Sequence, residues 1–195
     1  MKQFKKPLLM PTFILLALTL VLSSYEIPKG WFEAGANPEA YDVGIDKGAG
    51  RNGSDAGTIK CIKNKSNIWG NLMQNFSPDT FLDKRIRMSG WLKSKEVSGW
   101  SSFWLRVDDK YSNKSLSFDN MHYGVDRSIK GTTDWTKYEI VLDVPKEAGN
   151  IAFGIMLNGR GQVWFDDFEF EIVDKSVPTT GVDKQLGPQN LKFDN

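Results

Sequence analysis

From about residue 30 onward, apolar side chains recur at every second position in short runs, and clusters of Gly, Asn, Asp and Ser separate the runs. A period of two is the mark of a strand that buries one face, because successive side chains point to opposite sides of a sheet. The pattern predicts strands over Ala56–Lys63, Trp69–Phe76, Arg85–Leu92, Ser101–Asp108, Lys114–Asp119, Thr136–Val144, Ile151–Asn158 and Val163–Val173. Pro78–Asp83 and Pro145–Ala148 look helix-like, each for about one turn. No segment is long enough to serve as a parallel-sheet crossover, and no internal repeat is visible. Strands joined by short turn-rich links predict an all-β protein: a two-sheet antiparallel jelly-roll sandwich over residues 30–173.

The alternation also assigns faces. In Ser101–Asp108, Phe103, Leu105 and Val107 share the core side, whereas Trp104, Arg106 and Asp108 share the other. That second set places an indole beside a guanidinium and a carboxylate on the wetter side of a sheet. Ile86, Met88, Gly90 and Leu92 read as a core side, which turns Trp91 outward. A bulge at Gly90 would reverse Trp91, so the pattern leaves it unassigned.

The two ends differ from the middle. Lys2, Lys5 and Lys6 precede the apolar run 13–22, and Val21 and Ser23 supply small residues for a cleavage site. A basic start, a short apolar stretch and small residues make a secretory signal over residues 1–23. An uncleaved anchor is the alternative, but Pro11 interrupts a run already short of the roughly 20 residues a span needs. Residues 24–29 form a short lead. Residues 174–195, with Pro, Gly and Thr and little apolar periodicity, read as a linker-like tail. Its closing segment carries Leu191 and Phe193 at strand spacing. The address implies a secreted or extracytoplasmic location, at the periplasm or cell surface.

Composition narrows the chemistry. The 195 residues hold one Cys and one His, which excludes an intramolecular disulfide and a Cys/His zinc cage. Lys+Arg number 25 against 24 Asp+Glu, a formal charge of +1 that becomes −2 once residues 1–23 and their three Lys are removed. Such a balance gives no electrostatic footprint for nucleic acid, and a membrane contact only if the N-terminal segment stays uncleaved. Eighteen Gly, twelve Phe, seven Trp and five Tyr suit a turn-rich binding module. Cys61 falls on a strand with Ile59 and reads as a packed thiol.

His122 stands in a polar loop without a nucleophile elbow or a second histidine, so it reads as a loop residue before a catalytic one. Asp108–Asp109, Asp119 and Asp166–Asp167 combine on paper as glycosidase acids. That chemistry needs two carboxyls about 5–10 Å apart across a cleft, a separation no sequence reveals.

Several segments in order carry a resemblance. Trp31-Phe-Glu33, Gly90-Trp-Leu-Lys93, Gly131-Thr-Thr-Asp-Trp-Thr-Lys-Tyr138 and Trp164-Phe-Asp-Asp-Phe-Glu-Phe-Glu171 resemble the carbohydrate-binding modules of the galactose-binding-like jelly-roll type. Phe103-Trp-Leu-Arg-Val-Asp108 with Leu116-Ser-Phe-Asp-Asn-Met121 resembles a bacterial accessory domain found beside AraC-type regulators and tail-specific peptidases. The chain itself holds neither of those partner domains. The resemblance implies a galactose-binding-like jelly roll and a structural calcium joining first and last strands. Glu33 and one of Asp166 and Asp167 occupy the matching positions.

A non-catalytic carbohydrate-binding module is the leading expectation, with Trp104, Arg106 and Asp108 as ligand residues and Asn120 and His122 on a nearby loop. An indole stacks on a sugar ring, while Arg donates and Asp accepts hydrogen bonds from its hydroxyls. The pattern leaves two alternatives open: Trp104 is core, and Arg106 pairs with Asp108 merely to solvate the face. A module that docks another protein or senses a signal is the second expectation, and a hydrolase the third.

Overall fold

A computed structural model describes residues 24–63, 69–112, 114–123 and 126–181. The expected signal over 1–23 and the Leu191–Phe193 pair lie outside the described residues. Among the described residues nine strands follow in chain order: β1 (Phe32–Gly35), β2 (Tyr41–Asp46), β3 (Ala56–Cys61), β4 (Trp69–Phe76), β5 (Lys84–Asp109), β6 (Ser115–Asp119), β7 (Ile129–Val144), β8 (Ala148–Asn158) and β9 (Gln162–Val173). The fold is the expected all-β sandwich. The alternation pattern does not mark β1 or β2, because they are short and glycine-containing. Neither helix-like stretch is a helix. Pro78–Asp83 and Pro145–Ala148 are turns, closed by Phe81 N–H to Pro78 O at 2.7 Å and by Ala148 N–H to Pro145 O at 3.1 Å.

The two expected strands Arg85–Leu92 and Ser101–Asp108 are one strand, β5. Its first half pairs with β7 on one side and β9 on the other, while its second half pairs with β6 and β8. Register shifts against β7 between Leu92 and Ser101 mark where β5 passes from one layer to the other. One layer therefore reads β1-β4-β8-β5-β6 and the other β7-β5-β9-β3-β2, all antiparallel. Phe103, Leu105, Val107, Ile151, Ile155 and Leu157 of the first layer are buried with Ile59, Ile86, Met88, Leu92 and Ile140 of the second.

Trp91 points outward, as simple alternation expects. Gly90 faces the core, where an added Cβ would lie 3.1–3.2 Å from the rings of Phe168 and Phe103. The bulge is in β9 instead. Ser89 pairs with Glu169 and Trp91 with Asp166, so Gly90 faces two residues, Asp167 and Phe168. Asp167 takes the left-handed φ of 53°. One extra residue resets the alternation, so that Phe165 and Phe168 both pack inward around Trp31 while Asp166 and Asp167 both turn outward.

The stretch after β9 lies against β7. Thr180 N–H donates to Val141 O and Val141 N–H to Thr180 Oγ1, each at 2.9 Å. Arg85 clamps the same stretch through Lys175 O and Val177 O while forming a two-point pair with Asp143 at 2.9 and 2.8 Å. The linker-like segment is thus docked at least as far as Thr180. Hydrogen bonds from Arg85 hold the Asp143 carboxyl below the usual carboxylate range, ahead of the opposing effect of burial. A depressed folded pKa stabilises above the unfolded value, near ~3.9, and that contribution disappears as pH falls through the folded value. Asp143→Asn is therefore expected to cost under about 1 kcal/mol at pH 7, since the pair is partly exposed. The difference from wild type should shrink in urea titrations as the pH is lowered below ~3.9. A cost independent of pH would assign the effect to something other than the ion pair.

Candidate binding face

Strand register arranges the outer side of the first layer in transverse rows. Trp69, Asn158 and Trp100 form one row; Asn71, Met156 and Ser102 the next; then Met73, Gly154 and Trp104; then Asn75, Ala152, Arg106 and Phe118. Asp108 and Asn150 follow. The face thus carries two indoles at one end, a third in the middle and a charged cluster at the other end. Tyr111 and Tyr123 lie on loops and are largely exposed.

Trp104 sits on the expected face but not in the expected state. It is only 3% exposed, and its indole N–H donates to Asn71 Oδ1 at 2.9 Å. Asn71 is on β4, two strands away, so the indole reaches across β8 to bond it. Trp104 is the floor of the face, not an exposed platform. Alternation predicts the side a residue occupies, and it is silent on what lies over it.

Arg106 and Asp108 pair with each other, Nε to Oδ1 at 2.7 Å, and Asp108 also accepts Asn150 Nδ2 at 3.1 Å. Arg106 is the more open of the two. Asn120 does not face a ligand. It is 3% exposed, and its Oδ1 accepts the backbone N–H of His122 and Tyr123, which folds the loop back on itself. His122 lies flat on Trp100, ring centroids 4.2 Å apart at 14°, with Nδ1 3.6 Å from Asp126 Oδ1. Of the five expected ligand residues, the structure brings Arg106, Asp108 and His122 to or beside the open part of the face, and buries Trp104 and Asn120.

Trp69 and Trp100, both half-buried, are aromatic residues of this face that sequence reading missed. The signal was present: the parity that sets Trp104 outward continues back through Ser102 to Trp100. Ser102 itself is fully buried, and its hydroxyl has no hydrogen-bond partner.

The expected calcium ligands are not brought together. Asp166 Oδ2 accepts the Arg51 backbone N–H at 3.0 Å and the Ser54 hydroxyl at 2.9 Å. Its Oδ1 accepts Asp167 N–H, and Asp167 pairs with the Arg51 guanidinium at 2.8 Å. A hard cation needs six to eight oxygen ligands. Here the acidic oxygens already serve N–H and O–H donors, and a guanidinium supplies the positive charge. Arg51 also stacks on Trp91, 3.6 Å from the ring centroid. Glu33 has a different neighbour, Asp42, and its carboxyl is pushed up by burial first and by that second carboxylate next. Among the described residues no three His, Cys, Asp or Glu side chains cluster as metal ligands. The residues present do not fit a calcium ion shared by the first and last strands.

No family model matches the chain. A Bacillus subtilis (strain 168) protein named as the uncharacterized HTH-type transcriptional regulator YbfP is 41% identical over 171 residues, 85% of this chain and 57% of the regulator. The chain thus spans little more than half the length of that relative. Among solved structures, the CBM22-1 xylan-binding domain of Paenibacillus barcinonensis Xyn10C superposes with a TM-score of 0.52 at 12% identity, over 76% of this chain and 88% of that one. The C-terminal family 22 carbohydrate-binding module of Clostridium thermocellum Xyn10B gives 0.51 at 16%, over 74% and 86%. The enzymatically active domain of bacteriophage CBA120 tailspike protein 4 gives 0.56 at 11%, over 74% of this chain but 20% of that one. The chain has the β-sandwich fold of carbohydrate-binding modules. At these identities the likeness is one of fold, and fold alone assigns no ligand.

Proposed function

We propose that this chain is an extracytoplasmic, non-catalytic module that binds saccharide on the outer face of the β1-β4-β8-β5-β6 layer. The observation that carries the reading is the combination on one face of half-buried Trp69 and Trp100 with the Arg106–Asp108–Asn150 cluster. Indole rings offer the surface on which sugar C–H groups stack, and the polar cluster offers both donors and acceptors to hydroxyls. The basic-then-apolar start of the chain supports export. Binding without turnover is supported by three of the five acids that combine on paper for hydrolysis: Asp108, Asp119 and Asp167 are each engaged by an arginine.

A glycan array on the chain, followed by titration calorimetry with the glycan it retains, tests the proposal. Trp100→Ala is expected to weaken binding by roughly 1–3 kcal/mol while leaving the melting temperature near wild type. An array with no retained glycan would overturn it. The 41% identity to a transcriptional regulator favours a second reading, a sensory module whose ligand or protein partner informs another domain. Retention on a protein partner with no glycan response would select that reading.

A further inference from the structure

On the opposite side of the sandwich, the outer face of the β7-β5-β9-β3-β2 layer carries a second aromatic row. Lys93 of β5 pairs directly with Trp164 of β9, and Trp135 of β7 lies on its other flank, next to the Leu92–Thr136 pair. The Lys93 ammonium sits 5.1 Å from the Trp164 ring centroid and 5.6 Å from that of Trp135. Both indoles and Lys93 are half-buried. The rings belong to strands two interstrand steps apart, ~10 Å. A groove of about 550 Å³ borders the row, walled by Lys93, Lys95, Thr133, Asp134 and Trp164 among others.

Three features set this row apart from an ordinary solvated sheet face. The first is preorganisation: the Trp164 indole N–H donates to Asp46 Oδ2 at 2.7 Å, which fixes the plane of that ring. Next, two acids beside the row accept hydrogen bonds from it, Asp46 from the Trp164 indole and Asp134 from the Trp135 backbone N–H at 2.7 Å, and neither forms an ion pair with Lys93. Glu96, which also lines the groove, is exposed. The third feature is charge. One row away Arg51 also lies over an indole, Trp91, but its guanidinium is neutralised by Asp167. No carboxylate of the described residues forms an ion pair with Lys93. A half-buried ammonium held between two ring faces has its apolar surroundings supplied by the protein and its counter-charge left to something else.

We infer that this row is a second binding site, for an acidic saccharide. An oligosaccharide lying across the strands meets an indole, a cation and an indole in turn. The ring faces take the C–H surfaces of successive sugars, and Lys93 takes a carboxylate carried by the sugar between them. A neutral glycan would gain the stacking but not the charge. A simple inorganic anion would gain the charge but not the stacking.

Calorimetric titration of the full chain with an oligogalacturonate, and with the same oligomer after reduction of its carboxylates to hydroxymethyl groups, tests the site. The acidic oligomer should bind more tightly, and the preference should shrink as salt is raised. Lys93→Met keeps the length and apolar stem of the side chain while removing the charge. It should weaken binding of the acidic oligomer by about fivefold and leave the reduced one unchanged. Trp164→Ala should weaken both, and Trp164→Phe, which keeps a ring, serves if the alanine variant melts early. Trp100→Ala, on the other face, should change neither. No binding of oligogalacturonate at millimolar concentration would overturn the inference, as would unchanged affinity in Lys93→Met. Loss of binding in Trp100→Ala with retention in Trp164→Ala would place the acidic glycan on the first face and also overturn it. Failure of Trp100→Ala to affect any neutral glycan would bear on the first site alone.

Discussion

Replacing Trp104 by alanine is expected to destabilise the fold by about 3–5 kcal/mol, the range for truncating a large buried aromatic side chain. The ring is almost fully enclosed and lies across β8 to reach Asn71. Truncation removes the packed ring and leaves a cavity, and it also deprives the Asn71 side-chain carbonyl of the indole donor. An acceptor stranded in a buried setting adds about 1–3 kcal/mol of its own when nothing replaces the bond. Trp104→Phe separates these contributions, because it restores most of the volume but not the N–H. It should recover more than half of the loss. Urea unfolding followed by far-ultraviolet circular dichroism measures both variants. A Trp104→Ala protein that unfolds within 1 kcal/mol of wild type, yet no longer binds saccharide, would return Trp104 to the role of an exposed platform.

That contrast locates what the sequence makes legible. Period-two alternation places Phe103, Leu105 and Val107 inside and Trp104, Arg106 and Asp108 outside, and the register confirms the division. Facing away from the core is not the same as facing water. Coverage of an outer face depends on side chains from strands far away in sequence, as with Asn71, 33 residues from Trp104. The Arg106–Asp108 pair, by contrast, needs only the two-residue spacing within one strand, and that alternative was readable in advance. Phe165 and Phe168 stand three apart in a strand that otherwise alternates by two, which is the local trace of the β9 bulge. The partner that makes the bulge useful, Arg51, comes from a loop more than a hundred residues earlier. The loop carries no pattern that links it to the last strand. The short strands β1 and β2 escaped for a different reason: they owe their pairing to β4 and β3, not to an apolar run of their own.

Gly154→Ala is expected to cost about 1–3 kcal/mol and to disturb the binding face from beneath, the range seen when extra atoms enter a packed site. A Cβ at this position would lie 2.5 Å from the Leu72 carbonyl oxygen and 2.9 Å from Met73 Cβ. The closest of these atoms is backbone, so the contact is relieved only by moving β4 away from β8. Asn71 is carried on β4 and Trp104 on the other side of β8, so that movement stretches the 2.9 Å indole–amide hydrogen bond spanning the two strands. The rows above would shift with it, and Trp69 and Trp100 would lose their mutual placement across Asn158. Loss of stability and loss of binding should therefore appear together in this variant, whereas Trp100→Ala should lose binding alone. The indole N–H resonance of Trp104, identified by its disappearance in Trp104→Phe, reports the hydrogen bond directly and should move upfield as the bond lengthens. Unfolding free energy within 0.5 kcal/mol of wild type, with that resonance unmoved, would show that β4 and β8 accommodate a methyl group here and that the glycine is not what lets the indole lie across the sheet.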